Sequence, residues 1–216
     1  MPTANFGENI TFSTSKFTKL KSKGDKIQFR IIKAPFYDGK HFLKDENGNW
    51  DIHSCPRINE RQDCPYCENF FKALKKAKKD GLDKKEADKL TNPWKASISY
   101  YYPVINRETG NFEVFQTTSG VRNQIETEIS LNAKTLKRDL VVLRTEVPGN
   151  YYSLSIVDSS ESKPLTEDEE AKFKIGKETN LSDYICGTED EDSNVAFEDN
   201  SVDLEDNKEV EEAFDL

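Results

Sequence analysis

Three of the four cysteines and both histidines fall within residues 41–67, HFLKDENGNWDIHSCPRINERQDCPYC. Cys55, Cys64 and Cys67 have the spacing C-x8-C-x2-C. Two thiolates separated by two residues can bind one ion from a single turn of chain. A third thiolate and one imidazole complete a tetrahedral Cys3His site, which leaves no position for a substrate water. The spacing therefore predicts one structural Zn²⁺ ion.

Two histidines compete for the fourth ligand position. His53 lies two residues before Cys55, and on an extended segment these side chains project to the same face, so ligation by both is conceivable but cramped. His41 lies across the turn ENGN and would tie the incoming strand to the metal. We prefer His41 and keep His53 as the alternative. A redox CxxC is disfavoured because the strand–CxxC–helix order is missing, and Cys186 reads as a lone thiol.

The charge is distributed unevenly along the chain. The 216 residues carry a net charge of −9, yet residues 187–216 hold thirteen Asp and Glu and one Lys, which leaves thirty basic and twenty-seven acidic residues in the remainder. The chain is thus a mildly basic body with an acidic tail. The tail has too little apolar surface to offset its ordering entropy, so it is predicted to be disordered. Phe214 and Leu216, in its terminal EEAFDL, are predicted to bind a partner.

Alternating apolar residues predict strands at 26–33, 94–105, 112–118, 139–147 and 150–157. PFYDGKHF reads as a turn at Asp38-Gly39. A helical pattern starts at Glu68, a second helix has the stripe Val121, Ile125 and Ile129, and Thr166 with Glu169 forms the pattern of a capping box. About five strands interrupted by a helix predict a mainly β (α+β) protein, an OB-fold-like small barrel with an inserted zinc-binding helical subdomain.

These patterns divide the chain into successive segments. The expected order begins with an N-terminal arm at 1–24 and an OB-fold core at 25–160, which contains the zinc subdomain at about 40–90. A short helix with a linker follows at 161–186, and the acidic tail occupies 187–216. No apolar run reaches the roughly 20 residues that span a bilayer, and the N-terminus lacks the order of a secretory signal. A soluble, cytoplasmic protein is therefore expected.

The parity of the strands separates the aromatic side chains into two faces. Tyr101, Phe115 and Tyr151 alternate with the apolar residues of three successive strands, so they are predicted to point outward. Three such rings would form a platform on which bases stack. In the alternative reading, a helix or the insertion covers this face and the rings are core. Basic residues on the same ribbons favour single-stranded nucleic acid: Arg30, Lys33, Lys95 and Arg144.

The order of these motifs resembles a known family. The pattern begins with an aliphatic strand that contains an Arg, and it continues with H…NGNW…C…CPYC, a Trp-led strand, an F-x-V-F strand and an acidic C-terminus. From about Lys26 to Val157, this pattern resembles the single-stranded DNA-binding (helix-destabilising) proteins of T-even phages. In that family the histidine precedes the NG turn, as His41 does here. The resemblance implies an OB fold with a zinc subdomain, an aromatic cleft that includes Trp94, and a tail that recruits replication proteins. The family's basic N-terminal arm for cooperative binding has no clear counterpart here, and KFTKLKSK is the segment that would substitute for it.

The function expected from these observations is not enzymatic. The chain would coat single-stranded DNA without sequence specificity in phage replication, recombination and repair, and would act in the infected cell at the nucleoid. Its partners would be a polymerase, primase or helicase loader, with self-association on DNA. The alternatives are an RNA-binding protein or a zinc-stabilised adaptor or transcription regulator. A metal-dependent nuclease would need an open metal position with carboxylate or histidine ligands.

Overall fold

The computed structural model describes residues 17–147 and 150–186, without the side chains of Glu146, Asn150 and Cys186. Several sequence-based predictions lie outside the described residues. They concern most of the N-terminal arm, the disorder of the tail, and partner binding by Phe214 and Leu216.

The described chain forms a mixed α+β fold. Its strands are β1 (Lys26–Ile31), β2 (Phe36–Lys44), β3 (Trp50–Ser54), β4 (Ala96–Asn106), β5 (Phe112–Thr117), β6 (Leu140–Val147) and β7 (Asn150–Ile156). Its helices are α1 (Pro56–Asn59), α2 (Pro65–Asp80), α3 (Lys84–Thr91), α4 (Ser119–Leu131), α5 (Glu167–Glu178) and α6 (Leu181–Cys186). Two short 3-10 helices, Asn92–Trp94 and Ala133–Lys137, precede β4 and β6.

The strand β4 organises a seven-stranded antiparallel sheet with the order β3-β2-β4-β1-β6-β7, in which β5 also pairs with β4. The first half of β4 pairs with β2, from Ala96 opposite His41 to Tyr101 opposite Phe36. Its second half pairs with β1, and the register places Val104 opposite Ile31. β1 and β2 therefore follow each other beside one long strand, which brings the predicted metal segment next to the start of β4.

The main core lies on one face of this sheet, beneath α4. Phe29, Tyr102, Phe115 and Leu140 are buried there together with Ile125 of the helix. Ile27, Phe29 and Ile31 alternate in β1 and all three are buried, as their spacing predicted. The helical stripe is also confirmed, since Val121 and Ile125 are buried and Ile129 packs against the same cluster.

A second apolar cluster covers part of the opposite face. Tyr101 and Val114 are buried there against Leu181 of α6, and Phe17 and Tyr184 pack around them. The preceding helix α5 approaches the sheet closely at Gly176, where a Cβ atom would lie 2.5 Å from Ile32 Cδ1. A larger residue would force Ile32 and Phe112 to shift, so Gly176 lets α5 pack directly against this part of the sheet.

Buried charges attach α5 to the sheet. The Arg30 guanidinium contacts Asp139 at 2.6 Å, and Arg107 contacts both Asp139 at 3.2 Å and Glu169 at 2.5 Å. Glu169 also accepts from the Thr166 backbone N–H, and the Thr166 hydroxyl accepts from the Glu169 N–H, so the predicted capping box is confirmed. Charged groups buried in this way require partners, and here the partners come from four distant parts of the chain.

A side chain of α4 forms hydrogen bonds with the backbone of the edge strand β7. The amide of Gln124 donates to the Tyr152 carbonyl at 3.5 Å and accepts from the Leu154 N–H at 3.2 Å. An exposed strand edge carries unpaired backbone groups that invite association with other strands. Gln124 satisfies two of these groups and holds the helix over the end of the sheet.

The predicted turn at Asp38-Gly39 is wrong, because both residues lie inside β2 and pair with Ser99 and Ile98. The Asp-Gly pair serves packing instead: a Cβ atom on Gly39 would lie 2.7 Å from Ile58 of α1. The strand β3 was not predicted either, and its residues pair with the second half of β2.

Candidate metal centre and aromatic surface

Three elements bring the four predicted ligands together. His41 lies on β2, Cys55 precedes α1, Cys64 is the N-cap of α2, and Cys67 lies in the first turn of α2. All four side chains are buried, and their ligand atoms lie within 4.8 Å of one another. A buried cluster of three thiols and one imidazole can hold a metal ion.

The distances within the cluster fit a tetrahedral ion. Cys55 Sγ lies 4.0 Å from Cys64 Sγ and 3.5 Å from Cys67 Sγ. His41 Nε2 lies 3.3 Å from Cys64 Sγ and 3.6 Å from Cys67 Sγ. A tetrahedron with zinc–sulfur bonds of about 2.3 Å and a zinc–nitrogen bond of about 2.0 Å requires edges of about 3.8 Å and 3.5 Å. The two remaining pairs of ligand atoms lie within 4.8 Å of each other, so the side chains must move closer together to bind such an ion.

The orientation of His41 is set by the backbone before β4. Its Nδ1–H donates to the carbonyl oxygen of Trp94 at 3.0 Å, which leaves the lone pair of Nε2 directed to the cysteines. Burial lowers the pKa of His41, although the Trp94 carbonyl acts in the opposite direction. The neutral imidazole is the form that binds a metal, so the net lowering of the pKa favours ligation.

The three thiols differ in their environment. Burial raises the pKa of Cys55 and of Cys67. Burial opposes ionisation of Cys64 as well, but the backbone N–H groups of Cys67 and Tyr66 stabilise its thiolate and the pKa falls below its ordinary value. These groups belong to the N-terminus of α2, where a negative charge is favoured. Cys64 is therefore the thiol that ionises most readily to a metal-binding thiolate.

His53, the alternative ligand, lies outside the cluster. Its Nε2 contacts Asp51 at 2.8 Å. The ring of Tyr66 lies 4.8 Å from the ring of His53 and 5.1 Å from that of His41, and it stacks on His53. His53 thus packs against the rim of the site while His41 faces the thiols.

The side chain of Asn59 fastens α1 to β2 beside the cluster. Its amide donates to Asp38 Oδ1, the Gly39 carbonyl and Ser54 Oγ, and its oxygen accepts from the Gly39 N–H. The Cys55 N–H also donates to the Gly39 carbonyl at 2.8 Å. These hydrogen bonds position the backbone around Cys55 beside β2.

Two of the three rings that were predicted to point outward are buried. Tyr101 is 5% exposed and packs under α6, and Phe115 is 1% exposed in the main core. The outward prediction is therefore wrong for both. Tyr101 lies on the sheet face that the C-terminal helices cover, whereas the face of Phe115 is the core side of β5. Tyr151, on β7, is exposed as predicted.

The predicted basic residues also occupy different environments. Arg30 is buried in its ion pair with Asp139, so its outward orientation was wrong. Lys33 donates to the Lys177 and Thr179 carbonyls, and Arg144 donates to the Leu20 carbonyl and the Tyr152 hydroxyl. Trp94 and Lys95 are half-buried at the start of β4. The predicted set thus does not form one continuous surface.

A different group of aromatic and basic residues does come together. Tyr37 of β2 is 43% exposed, and its ring centre lies 6.5 Å from that of Tyr100 on β4. The Arg122 guanidinium lies 5.7 Å from the Tyr100 ring centre and contacts Glu126 on the same helix. We call Tyr37, Tyr100 and Arg122 the aromatic–arginine cluster. Sequence reasoning missed it because Tyr37 was placed in a turn and Tyr100 on the core side.

The aromatic–arginine cluster lies close to the metal centre. Tyr37, Gly39 and His41 alternate along β2 and share one face, and the register places Tyr100, Ile98 and Ala96 of β4 beside them. Burial raises the pKa of Tyr100, with a smaller opposing effect from Arg122. Its hydroxyl is therefore protonated at physiological pH, and its half-buried ring packs against the main core.

A lysine group lies on the opposite face of β2. Burial lowers the pKa of Lys19, and the charges of Lys21 and Lys40 lower it further, so the three ammonium groups repel one another. Lys40 also contacts Asp38 at 3.2 Å, and the register places it beside Ser97. This concentration of positive charge lies beside β2, the strand that carries Tyr37.

The chain matches no model of a known protein family and none of the curated proteins with which it was compared. Among residues 17–147 and 150–186, none of the helices combines the length and apolar character that crossing a bilayer requires.

Proposed function

We propose that this protein binds single-stranded DNA without sequence specificity and coats exposed strands during phage DNA replication, recombination and repair. The observation that carries the proposal is the aromatic–arginine cluster, which places an exposed ring, a second ring and a guanidinium on one surface. Stacking on an aromatic side chain contributes about 1–3 kcal/mol per base and tolerates every base. Such a surface suits a ligand that is recognised by its form and charge rather than its sequence.

Positive charge near the cluster supports a polyanionic ligand. Arg122 would contact phosphate or stack beneath a base, and a phosphate would compete with Glu126 for it. The Lys19, Lys21 and Lys40 group adds positive charge on the opposite face of β2, the strand that carries Tyr37. Binding should therefore weaken steeply as salt rises, because each phosphate contact releases counterions.

The metal in the proposed site is Zn²⁺, held by His41, Cys55, Cys64 and Cys67. Three thiolates and one imidazole in a closed tetrahedron are typical of structural zinc. The ion would fix the relative positions of β2 and α2, and β2 carries Tyr37. Zinc therefore supports the binding surface without contacting the strand.

The sheet order favours an OB-type barrel for this function. β1 and β2 follow each other beside β4, β1 also pairs with β6, and α4 lies between β4 and β7. In OB folds, the strands and loops of one barrel face bind oligonucleotides. The acidic residues 187–216 would compete for the basic surface and recruit replication proteins such as a polymerase, primase or helicase loader.

Substitution of Tyr37 tests the proposal directly. Tyr37→Ala should weaken binding of a fluorescent oligo-dT about tenfold at low salt, measured by anisotropy, because one stacking partner is lost. Tyr151→Ala is a matched control, since its side chain is 41% exposed against 43% for Tyr37 but lies on β7. Equal effects of both variants would contradict the assigned surface. If oligo-dT does not bind even without added salt, the proposed function is wrong.

A further inference from the structure

A cavity of about 500 Å³ opens where the chain after α4 meets the chain after β7. It is lined by Asn132, Lys134, Lys137, Arg138, Ser159 and Ser162. Cavities of this volume accommodate small organic ligands. No acidic side chain of the described chain belongs to the lining, so the cavity combines three cations with neutral hydrogen-bonding groups.

The cations of the cavity are available to a ligand. Within the described ranges, neither Lys134 nor Lys137 forms an ion pair, and both side chains are exposed. The Arg138 Nε–H donates to the Val157 carbonyl at 3.1 Å, and the two terminal amino groups of the guanidinium remain to donate to a ligand. The positive charge of Arg138 also stabilises the carboxylate of Asp158, which accepts hydrogen bonds from the Ser160 N–H and the Ser159 hydroxyl. An anion would neutralise charge that the protein itself leaves largely uncompensated.

The wall behind these cations is rigid and presents a donor. Ser162 Oγ accepts from the Asp139 N–H at 2.9 Å and from Arg30 Nη2 at 3.1 Å. With both acceptor positions occupied, the hydroxyl proton of Ser162 is directed to another acceptor. Arg30 and Asp139 belong to the buried ion-pair network, so Ser162 is held in place before any ligand arrives. Asn132 uses its side-chain oxygen for the Lys134 N–H and retains its amide protons.

We propose that this cavity is a phosphate-binding site. Several donors converge on it, three of them cationic, and a phosphate group supplies several charged acceptor oxygens. The phosphate can belong to a nucleic acid strand or to a free nucleotide or inorganic phosphate. Arg122 lies in the first turn of α4 and Asn132 directly follows the helix, so ten residues of helical rise separate them by about 15 Å along the helix axis. A strand on the aromatic–arginine cluster would reach the cavity within a site of several nucleotides.

The test is a titration of the full-length, ¹⁵N-labelled protein with inorganic phosphate, thymidine monophosphate and oligo-dT, followed by amide chemical shifts. Saturable shifts are expected at residues 132–138 and 159–162. In the Lys134→Gln/Lys137→Gln variant, apparent affinity for the phosphate ligand should fall about tenfold or more. The Lys85→Gln/Lys174→Gln variant changes the net charge equally at exposed lysines outside the cavity and should bind as the parent does.

The three ligands distinguish the source of the phosphate. Saturation by phosphate or mononucleotide identifies a free ligand, whereas saturation by oligo-dT alone identifies the strand, with the salt slope reduced by about 1.4 in the cavity variant. No saturable shift at these residues with any ligand would overturn the proposal, as would equal shifts with acetate at the same ionic strength. If oligo-dT still binds in anisotropy while the cavity residues do not respond, the cavity assignment fails and the proposed DNA binding stands.

Discussion

At the scale of single residues, small changes of shape and charge decide how the segments meet. Gly39 lets Ile58 approach the backbone of β2, and this contact sets α1 beside the metal cluster. Glu169 lies buried between Arg107 and the start of α5, where its charge joins a helix to the sheet. Both residues act through contacts with another element: Gly39 of β2 contacts Ile58 of α1, and Glu169 of α5 contacts Arg107, which follows β4.

Gly39→Ala should destabilise the protein by about 1–3 kcal/mol, because the added methyl group would lie 2.7 Å from Ile58. Denaturant unfolding measures the loss. The double variant Gly39→Ala/Ile58→Ala should show a favourable coupling energy, since the smaller side chain removes the overlap. Gly120→Ala is the control: its nearest contact would be 3.9 Å away, and it should be neutral or slightly stabilising. Additive effects at positions 39 and 58 would disprove the steric explanation.

Glu169→Gln should lower the free energy of unfolding by about 2 kcal/mol at pH 7, because Arg107 loses a charged acceptor. Burial tends to raise the pKa of Glu169, but the Thr166 N–H and Arg107 lower it below its ordinary 4.5. The stabilisation is thus complete above pH 4.5 and is lost as pH falls through the folded-state pKa. The difference between parent and variant should shrink in acid.

Denaturation curves at neutral and acidic pH measure this difference. Glu167→Gln, an exposed change in the first turn of the same helix, supplies the control. A parent–variant difference that is equally large well below pH 4 would show that Glu169 does not titrate through this ion pair.

At the scale of elements, the helices complete what the sheet leaves open. α4 covers the main core and pairs with the edge of β7 through Gln124, whereas α5 and α6 cover the opposite face. This arrangement explains why rings on both faces of β4 are buried. Near the centre of the sheet, an exposed ring remains at Tyr37, on the side of the sheet that extends toward the metal centre.

Gln124→Ala should destabilise the protein by about 1 kcal/mol and leave the Leu154 N–H without its acceptor. Native-state hydrogen exchange should show faster exchange at Leu154, since the edge of β7 loses its cover. Thr127→Ala, at an exposed position of the same helix, should leave that amide unchanged. Unaltered protection of Leu154 in the Gln124 variant would mean that the side chain does not pair with the strand.

At the scale of the whole molecule, the described residues form three buried clusters around one sheet: the main core, the apolar cluster on the opposite face, and the cysteine cluster. The main core joins β1, β4, β5, β6 and α4, whereas the cysteine cluster packs with Ile58, Tyr66, Phe71 and Ala96. Their common element is β4, and β2 carries both a metal ligand and Tyr37. Loss of the ion should therefore affect the binding surface before it affects the core.

Removal of the metal by a chelator should lower Tm and reduce hydrogen-exchange protection across residues 36–94, because buried thiols and imidazole lose the bond that holds them together. Protection at Val104 and Leu140 should persist, since both lie in the main core. Binding of oligo-dT should weaken and should recover on addition of Zn²⁺. Elemental analysis of the purified protein should give one zinc per chain. A chelated protein with unchanged protection around β2 would contradict this role of the metal.

The local patterns of the sequence determined which residues can ligate, alternate or cap, because spacing along the chain controls those properties directly. The Cys and His residues, the alternation of Ile27, Phe29 and Ile31, and the capping box at Thr166 all belong to this class. Only the tertiary structure decided which sheet face is covered, because parity groups residues without saying what packs on them. It therefore buried Tyr101 beneath α6 and Arg30 against Asp139, whose partners lie far along the chain.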